Sequence, residues 1–165
     1  MDAITALTTR RSIRKYEAIP LKKEDLDTIL DCGRLAPCGT NRQGWRFVCV
    51  TEPALLQQIA SVTTYGKHIA QAGACIVILI GPDSMTKEQD AASAAACMAV
   101  AARALGLGSC WVGTPGSNHF DEIAKMLGAP EDFKIHCLLS VGVPHGPQTP
   151  AVKKALSEVS SYNQF

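Results

Sequence analysis

Apolar and polar positions along this chain alternate between a helical rhythm and short strand-like runs. Asp2 stands before a stretch ending near Thr9 and predicts a capped helix there. Pro20 introduces a second helix, Lys23 to Leu35, in which Leu26, Ile29 and Leu30 share one face and Pro37 stops the run. Trp45 to Val50 reads as a strand. Pro53 opens a helix carrying Leu55, Leu56 and Ile59. Ala74 to Ile80 is a continuous apolar run ended by Gly81-Pro82-Asp83, the signature of a central strand. Gly108 to Thr114 and Ile135 to Val143 predict two more strands. Between them Asn118 is expected to cap a helix with Phe120, Ile123 and Leu127 on one face, closed by Gly128.

Two stretches break the amphipathic pattern. Asp90 to Leu105 is nearly all alanine and other small residues, with Asp90 expected as cap and Gly106 as stop. Nearly every face is apolar, so this helix should be buried all round, either inside the monomer or against a second subunit. After Pro144 the residues Gly146, Pro147 and Pro150 prevent regular structure, and about twenty residues follow with little to pack on. This tail reads as reaching across a partner. Strands and helices mix without strict β-α-β alternation, which predicts an α+β fold with a mixed or mainly antiparallel sheet.

The bulk numbers narrow the class. At 165 residues the chain is expected to be a single domain, 1–165, long enough to bury a core without staples. Its 47% apolar and 19% charged content is that of a soluble globular protein, and a net charge of +1 argues against nucleic acid or a membrane as general partner. The seven cysteines form no C-x-x-C pair, so no metal is expected. Most lie in apolar runs and read as free thiols in a reducing compartment. Met1-Asp2-Ala3-Ile4 does not begin a signal peptide, and no apolar run would span a bilayer, so the expected location is cytoplasmic.

Chemistry concentrates in two places. Arg10, Arg11, Ser12 and Arg14 put three guanidiniums and a hydroxyl within five residues, a set suited to a dianionic phosphate. The same run also suits a solvated basic helix end. Ala36-Pro37-Cys38-Gly39-Thr40-Asn41-Arg42-Gln43-Gly44-Trp45 joins a helix to a strand through a turn that offers backbone N–H groups and amides to a planar heterocycle, or serves as an ordinary connection. His68, His119, His136 and His145 show no catalytic spacing, and no G-x-G-x-x-G follows a strand.

Taken together, Arg-Arg-Ser-x-Arg-x-Tyr and the later Ala-Pro-x-Gly-x-Asn-x-Gln-x-Trp-x-Phe-Val resemble the FMN-dependent nitroreductase family. Ala104-Leu105-Gly106-Leu107-Gly108-Ser109-Cys110-Trp111-Val112-Gly113 and the closing Val141-Gly142-Val143-Pro144 extend the match over residues 4–162. The resemblance implies a nitroreductase-like α+β fold, a central mainly antiparallel sheet flanked by helices. It implies a homodimer with FMN at the subunit interface and a C-terminal segment lying over the partner. Arg10, Arg11, Ser12 and Arg14 would then hold the FMN phosphate and ribityl chain and reach the ring edge. Pro37, Cys38, Gly39 and Asn41 would contact the same flavin from the other subunit. Trp111, Val112 and Gly113 would line the isoalloxazine with backbone groups, and Lys153 would return to the phosphate.

The implied activity is NAD(P)H-dependent flavin oxidoreduction, with NADH or NADPH giving hydride to flavin N5 and an electron-poor acceptor such as a nitroaromatic or quinone receiving it. No protein side chain need act as nucleophile or base. Four features depart from the family pattern. Cys38 stands in place of the usual serine, and Gly44 in place of proline. Tyr65-Gly66-Lys67-His68 lies where larger members place polar flavin contacts, with Lys67 a candidate for the pyrimidine edge or simply an exposed lysine. The closing basic pair Lys153-Lys154 lacks the usual arginine. The short chain leaves open an alternative, a flavin-binding or flavin-handling protein without nicotinamide turnover.

Overall fold

The computed structural model describes residues 1–113 and 116–165. In chain order the elements are α1 (Ala3–Thr9), α2 (Lys23–Arg34), β1 (Trp45–Val50), α3 (Pro53–Val62), β2 (Ala74–Ile80), α4 (Lys87–Ala104), β3 (Gly108–Val112), α5 (Phe120–Met126) and β4 (Lys134–Gly142). The four strands form one sheet in the order β1-β2-β4-β3, antiparallel at every pairing. The expected α+β class with an antiparallel sheet is what the chain adopts.

Antiparallel sheets often show an alternating pattern because one face is wet, yet β2 is buried at every position. Both faces of this sheet are covered. Ile76, Ile78 and Ile80 point to a core shared with α2 and α4, whereas Cys75, Val77 and Leu79 point to a second core shared with α3 and α5. At the crossing of α2 and α4, Gly33 of α2 makes room for Met98 of α4. A Cβ on Gly33 would lie 2.1 Å from Met98 Cε and 2.9 Å from its Cγ, so any side chain on α2 there must displace the buried Met98.

Two sequence expectations need correction, and one of the two alternatives for α4 falls away. Asp90 does not cap α4; the helix begins earlier, at Lys87 after Thr86, and the Asp90 carboxylate turns inward to other partners. Asn118 does not cap α5, which is preceded by His119 without a side-chain cap. α4 is not enclosed within its own chain. Ala91, Ala94, Ala95, Met98 and Ala102 are buried, but Ala92 and Ala96 are exposed and Ser93, Cys97 and Val100 are half-buried. One small, apolar stripe of α4 therefore faces outward. Elsewhere the bounds shift slightly: β3 ends at Val112, and the Thr114 end of the expected strand lies outside the described residues.

A strap and a tail complete the chain. Residues 12–17 run beside the sheet, with an isolated parallel bridge between Ser12 and Ser109 and an antiparallel one between Tyr16 and Pro144. Beyond Pro144 every residue is exposed, and the only regular feature is a single turn of 3-10 helix at Leu156–Glu158.

Candidate functional site

The strap is held in shape from below. The Tyr16 hydroxyl donates to the Ile13 carbonyl at 2.7 Å and lies 2.8 Å from Ser140 Oγ, and the Ile13 N–H donates to the Ser109 carbonyl at 2.9 Å. Burial raises the Tyr16 pKa, so the phenol stays protonated and available as a donor. This explains the tyrosine at the end of the Arg-Arg-Ser-x-Arg-x-Tyr run: it fixes the loop that carries the arginines.

Ser12 and Arg14 are exposed, and Arg10 and Arg11 half-buried. Burial raises the pKa of the Cys110 thiol, and Arg14, Ser12 and Arg10 oppose that rise, so the two guanidiniums lie within electrostatic reach of β3 while Ser12 bridges to Ser109 beside it. His68 approaches from the 3-10 turn Lys67–Gln71, its ring 6.3 Å from that of Tyr16. Burial, and then Arg14, lower its pKa. The same turn rests on Val112, since a Cβ on Gly66 would lie 2.9 Å from Val112 Cγ1. Arg10, Ser12, Arg14, His68 and Val112 thus converge in one chain. Lys67 does not join them; its ammonium donates to the Ser61 carbonyl at 2.8 Å and is exposed.

Trp111 and Gly113 border this group along the free edge of β3. The Ser109 carbonyl faces the strap, away from β4, and alternation along the strand turns the Trp111 backbone N–H and C=O to the same open edge. Trp111 is 40% exposed, and its indole N–H donates to the Gly113 carbonyl at 2.8 Å. Gly113 has φ +78°, and a Cβ there would meet Phe120 Cζ at 2.5 Å, so both conformation and space require glycine.

Under the strap lies a small cavity of about 40 Å³ whose lining includes Thr9, Arg10, Arg11, Arg103, Ser109 and Gln148. No carboxylate is among its lining residues. Arg11 Nη1 donates to the Thr8 and Arg10 carbonyls, closing the end of α1, while its buried Nε has no partner among the described residues. Three arginines around one cavity, no neutralising carboxylate in its lining and an orphaned donor on Arg11 fit a bound oxyanion. Lys153 lies on the exposed tail and makes no hydrogen bond or ion pair among the described residues, so within one chain Gln148 is the tail residue that reaches this cavity.

The second predicted segment lies elsewhere. Pro37 and Asn41 are exposed, Cys38 and Gly39 half-buried, and the turn is strained: Thr40, Asn41 and Gln43 have φ of 51°, 55° and 52°. Left-handed backbone at non-glycine residues costs about 1–3 kcal/mol each and persists where surrounding contacts enforce it. The contacts are visible. The Gln43 N–H donates to Cys38 Sγ at 3.3 Å, and the Gln43 side chain donates to Asn41 Oδ1 at 3.3 Å. The Gly39 N–H donates to Asp90 Oδ1 at 3.0 Å. Asp90 also accepts from Ser84 Oγ at 2.6 Å and Thr86 Oγ1 at 2.8 Å. Burial pushes this carboxyl pKa up, but the Ser84, Gly39 and Thr86 donors outweigh it and hold it below the usual value.

Asp90 and Arg103, neither of them a predicted site residue, mark where the two segments sit. Asp90 anchors the Pro37–Asn41 turn at the start of α4, whereas Arg103 lines the arginine cavity at its end. At about 1.5 Å per residue the two ends are roughly 20 Å apart. One chain therefore does not bring the two segments together.

The nitroreductase family model matches residues 7–74 and 61–143, which include both segments, α4 and the sheet. An Archaeoglobus fulgidus protein described as a candidate NADH dehydrogenase/NAD(P)H nitroreductase is 32% identical over 150 residues, covering 87% of this chain and 86% of its own. A solved structure of a Bacteroides thetaiotaomicron protein with a similar description superposes with a TM-score of 0.92 at 28% identity, covering 99% and 98% of the two chains. An FMN-dependent nitroreductase from Clostridium difficile superposes at 0.89, also 28% identical, over 98% and 99%. The chain belongs to the nitroreductase family.

Proposed function

We propose that this chain is an FMN-dependent oxidoreductase that uses NADH or NADPH to reduce a small electron-poor acceptor, such as a nitroaromatic or a quinone. It works as a homodimer, each chain a single FMN-binding domain over 1–165. The observation that carries this reading is the placement of the two motifs at opposite ends of α4. Two copies packed through the open Ala92–Ala96 stripe, with their α4 helices antiparallel, bring the arginine strap of one chain to the Pro37–Asn41 turn of the other.

When bound, FMN would supply the redox chemistry that links nicotinamide to acceptor. The protein's part is to bind and orient. Arg10, Arg11 and Ser12 hold the phosphate end, and the orphaned Arg11 Nε with the carboxylate-free cavity fits that anion. Arg14 stands near the open edge of β3, where the Trp111 backbone and Gly113 border the ring. A cation and N–H donors at that edge favour negative charge on the ring, as donors do in an oxyanion hole. Pro37, Cys38, Gly39 and Asn41 of the second chain close the site. Lys153 joins the phosphate once the tail docks; Val152, Leu156, Val159, Tyr162 and Phe165 are all exposed and leave the tail with apolar surface to cover. Seven free cysteines fit a reducing, cytoplasmic setting, and among the described residues no helix is long and apolar enough to cross a membrane.

The test is spectroscopic. The purified protein should be yellow or take up added FMN, and NADH or NADPH should bleach it without oxygen. A protein that takes up no FMN contradicts the reading. One that binds FMN but stays yellow with both nicotinamides, yet reduces with dithionite, is a flavin-handling protein instead.

A further inference from the structure

We propose that Arg103, from the last turn of α4, supplies a further guanidinium to the flavin phosphate. This rests on the FMN reading above. Three observations carry it. Arg103 lines the same small cavity as Arg10 and Arg11. Its Nε donates to Thr9 Oγ1 at 3.0 Å, and Thr9 Oγ1 is itself committed to the Thr5 carbonyl at 2.6 Å. A guanidinium is planar and rigid, so this bond restricts where its two terminal nitrogens can lie. Its two terminal nitrogens have no acceptor among the described residues, and Arg103 forms no ion pair there.

The neighbouring arginine is differently employed. Arg11 spends Nη1 on two carbonyls at the end of α1, which leaves it less able to offer a two-pronged contact. Arg103 keeps both terminal nitrogens for a bidentate grip on phosphate oxygens. Its position has a second basis, because a cation at the carboxyl end of a helix is favoured by the helix dipole whether or not an anion is bound. Arg103 is therefore held ready by α4 and Thr9, a binding residue positioned before its ligand arrives.

The measurement is the affinity of the apoprotein for FMN and for riboflavin, which lacks the phosphate, read by flavin fluorescence. Arg103→Met keeps the aliphatic stem and removes the charge. It should weaken FMN binding about 10- to 100-fold, as expected for lost charge-assisted hydrogen bonds, and leave riboflavin affinity unchanged. Arg103→Lys should recover only part of the loss, since a point charge cannot grip two oxygens. Equal losses for the two flavins would make Arg103 a structural support and overturn the proposal. So would an unchanged FMN affinity in Arg103→Met when the unmodified protein prefers FMN; the flavin reading would then stand. An unmodified protein that binds neither flavin ends both.

Discussion

Asp90 holds Gly39 from 51 residues away: its Oδ1 accepts the Gly39 N–H at 3.0 Å while Ser84 and Thr86 satisfy the rest of the carboxylate. This buried acid links the first turn of α4 to the strained turn proposed to cover the flavin. Replacing it by alanine strands the Gly39 N–H and should cost about 1–3 kcal/mol of stability. The loss should appear in urea unfolding together with weakened FMN binding. The donors lower the folded pKa, so the stability they confer is full above the unfolded carboxyl value of 3.8 and is lost as pH falls through the lower folded value. Asp90→Asn should accordingly flatten the acid limb of the stability profile.

Gly39 is constrained by space. A Cβ there would stand 2.2 Å from Thr86 Oγ1, so Gly39→Ala must displace Thr86 or the turn. Overpacking of this kind costs about 1–3 kcal/mol. Thr86→Ala removes the obstructing atom, and the double variant should be less destabilised than the two single effects summed. A denaturation double-mutant cycle measures that coupling; strict additivity would place the clash elsewhere.

Three histidines give a pH signature. His68, His119 and His136 each have a buried ring nitrogen without a partner among the described residues, and burial lowers the pKa of all three, with Arg14 adding to the effect on His68. The unfolded chain therefore takes up protons first. Stability should be full above the usual imidazole value of 6.5 and decline as pH falls from there toward the folded values. Urea midpoints measured across this window should fall with pH, and His136→Gln should reduce the slope. A midpoint that rises on acidification contradicts the assignment.

The outward stripe of α4 is the proposed seam. Ala96 is exposed, together with Ala92, on a helix whose opposite side buries Ala91, Ala94, Ala95 and Ala102. Ala96→Arg should place two charges against each other at the seam, shift sedimentation to the monomer and abolish FMN binding without loss of helical signal. A dimer that survives this change, still yellow, would move the interface away from α4.

The element pattern was legible because each element carries a local signal: periodicity in α2, Pro53 at the start of α3, an unbroken apolar run in β2. The caps misread at Asp90 and Asn118 show the limit of local signals. A carboxylate near a helix start reads as a cap, but tertiary donors at Gly39 and Ser84 drew the Asp90 side chain inward and let α4 begin earlier. The two motifs were legible as sequence, yet not their separation, which depends on the length of α4. Arg103 gave no signal at all. A single arginine closing a helix carries no signal until folding brings it to the same cavity as Arg10 and Arg11.

The central claim is that each site takes its strap from one chain and its turn from the other. Mixing Arg10→Ala and Asn41→Ala variants, each unable to bind FMN alone, tests it. After dissociation and reassociation at equal amounts, random pairing makes about half the dimers mixed, each with one intact site, so FMN binding should recover to about one quarter of the unmodified protein's. If strap and turn served the same site from a single chain, every site in every dimer would carry one defect, and mixing would restore nothing.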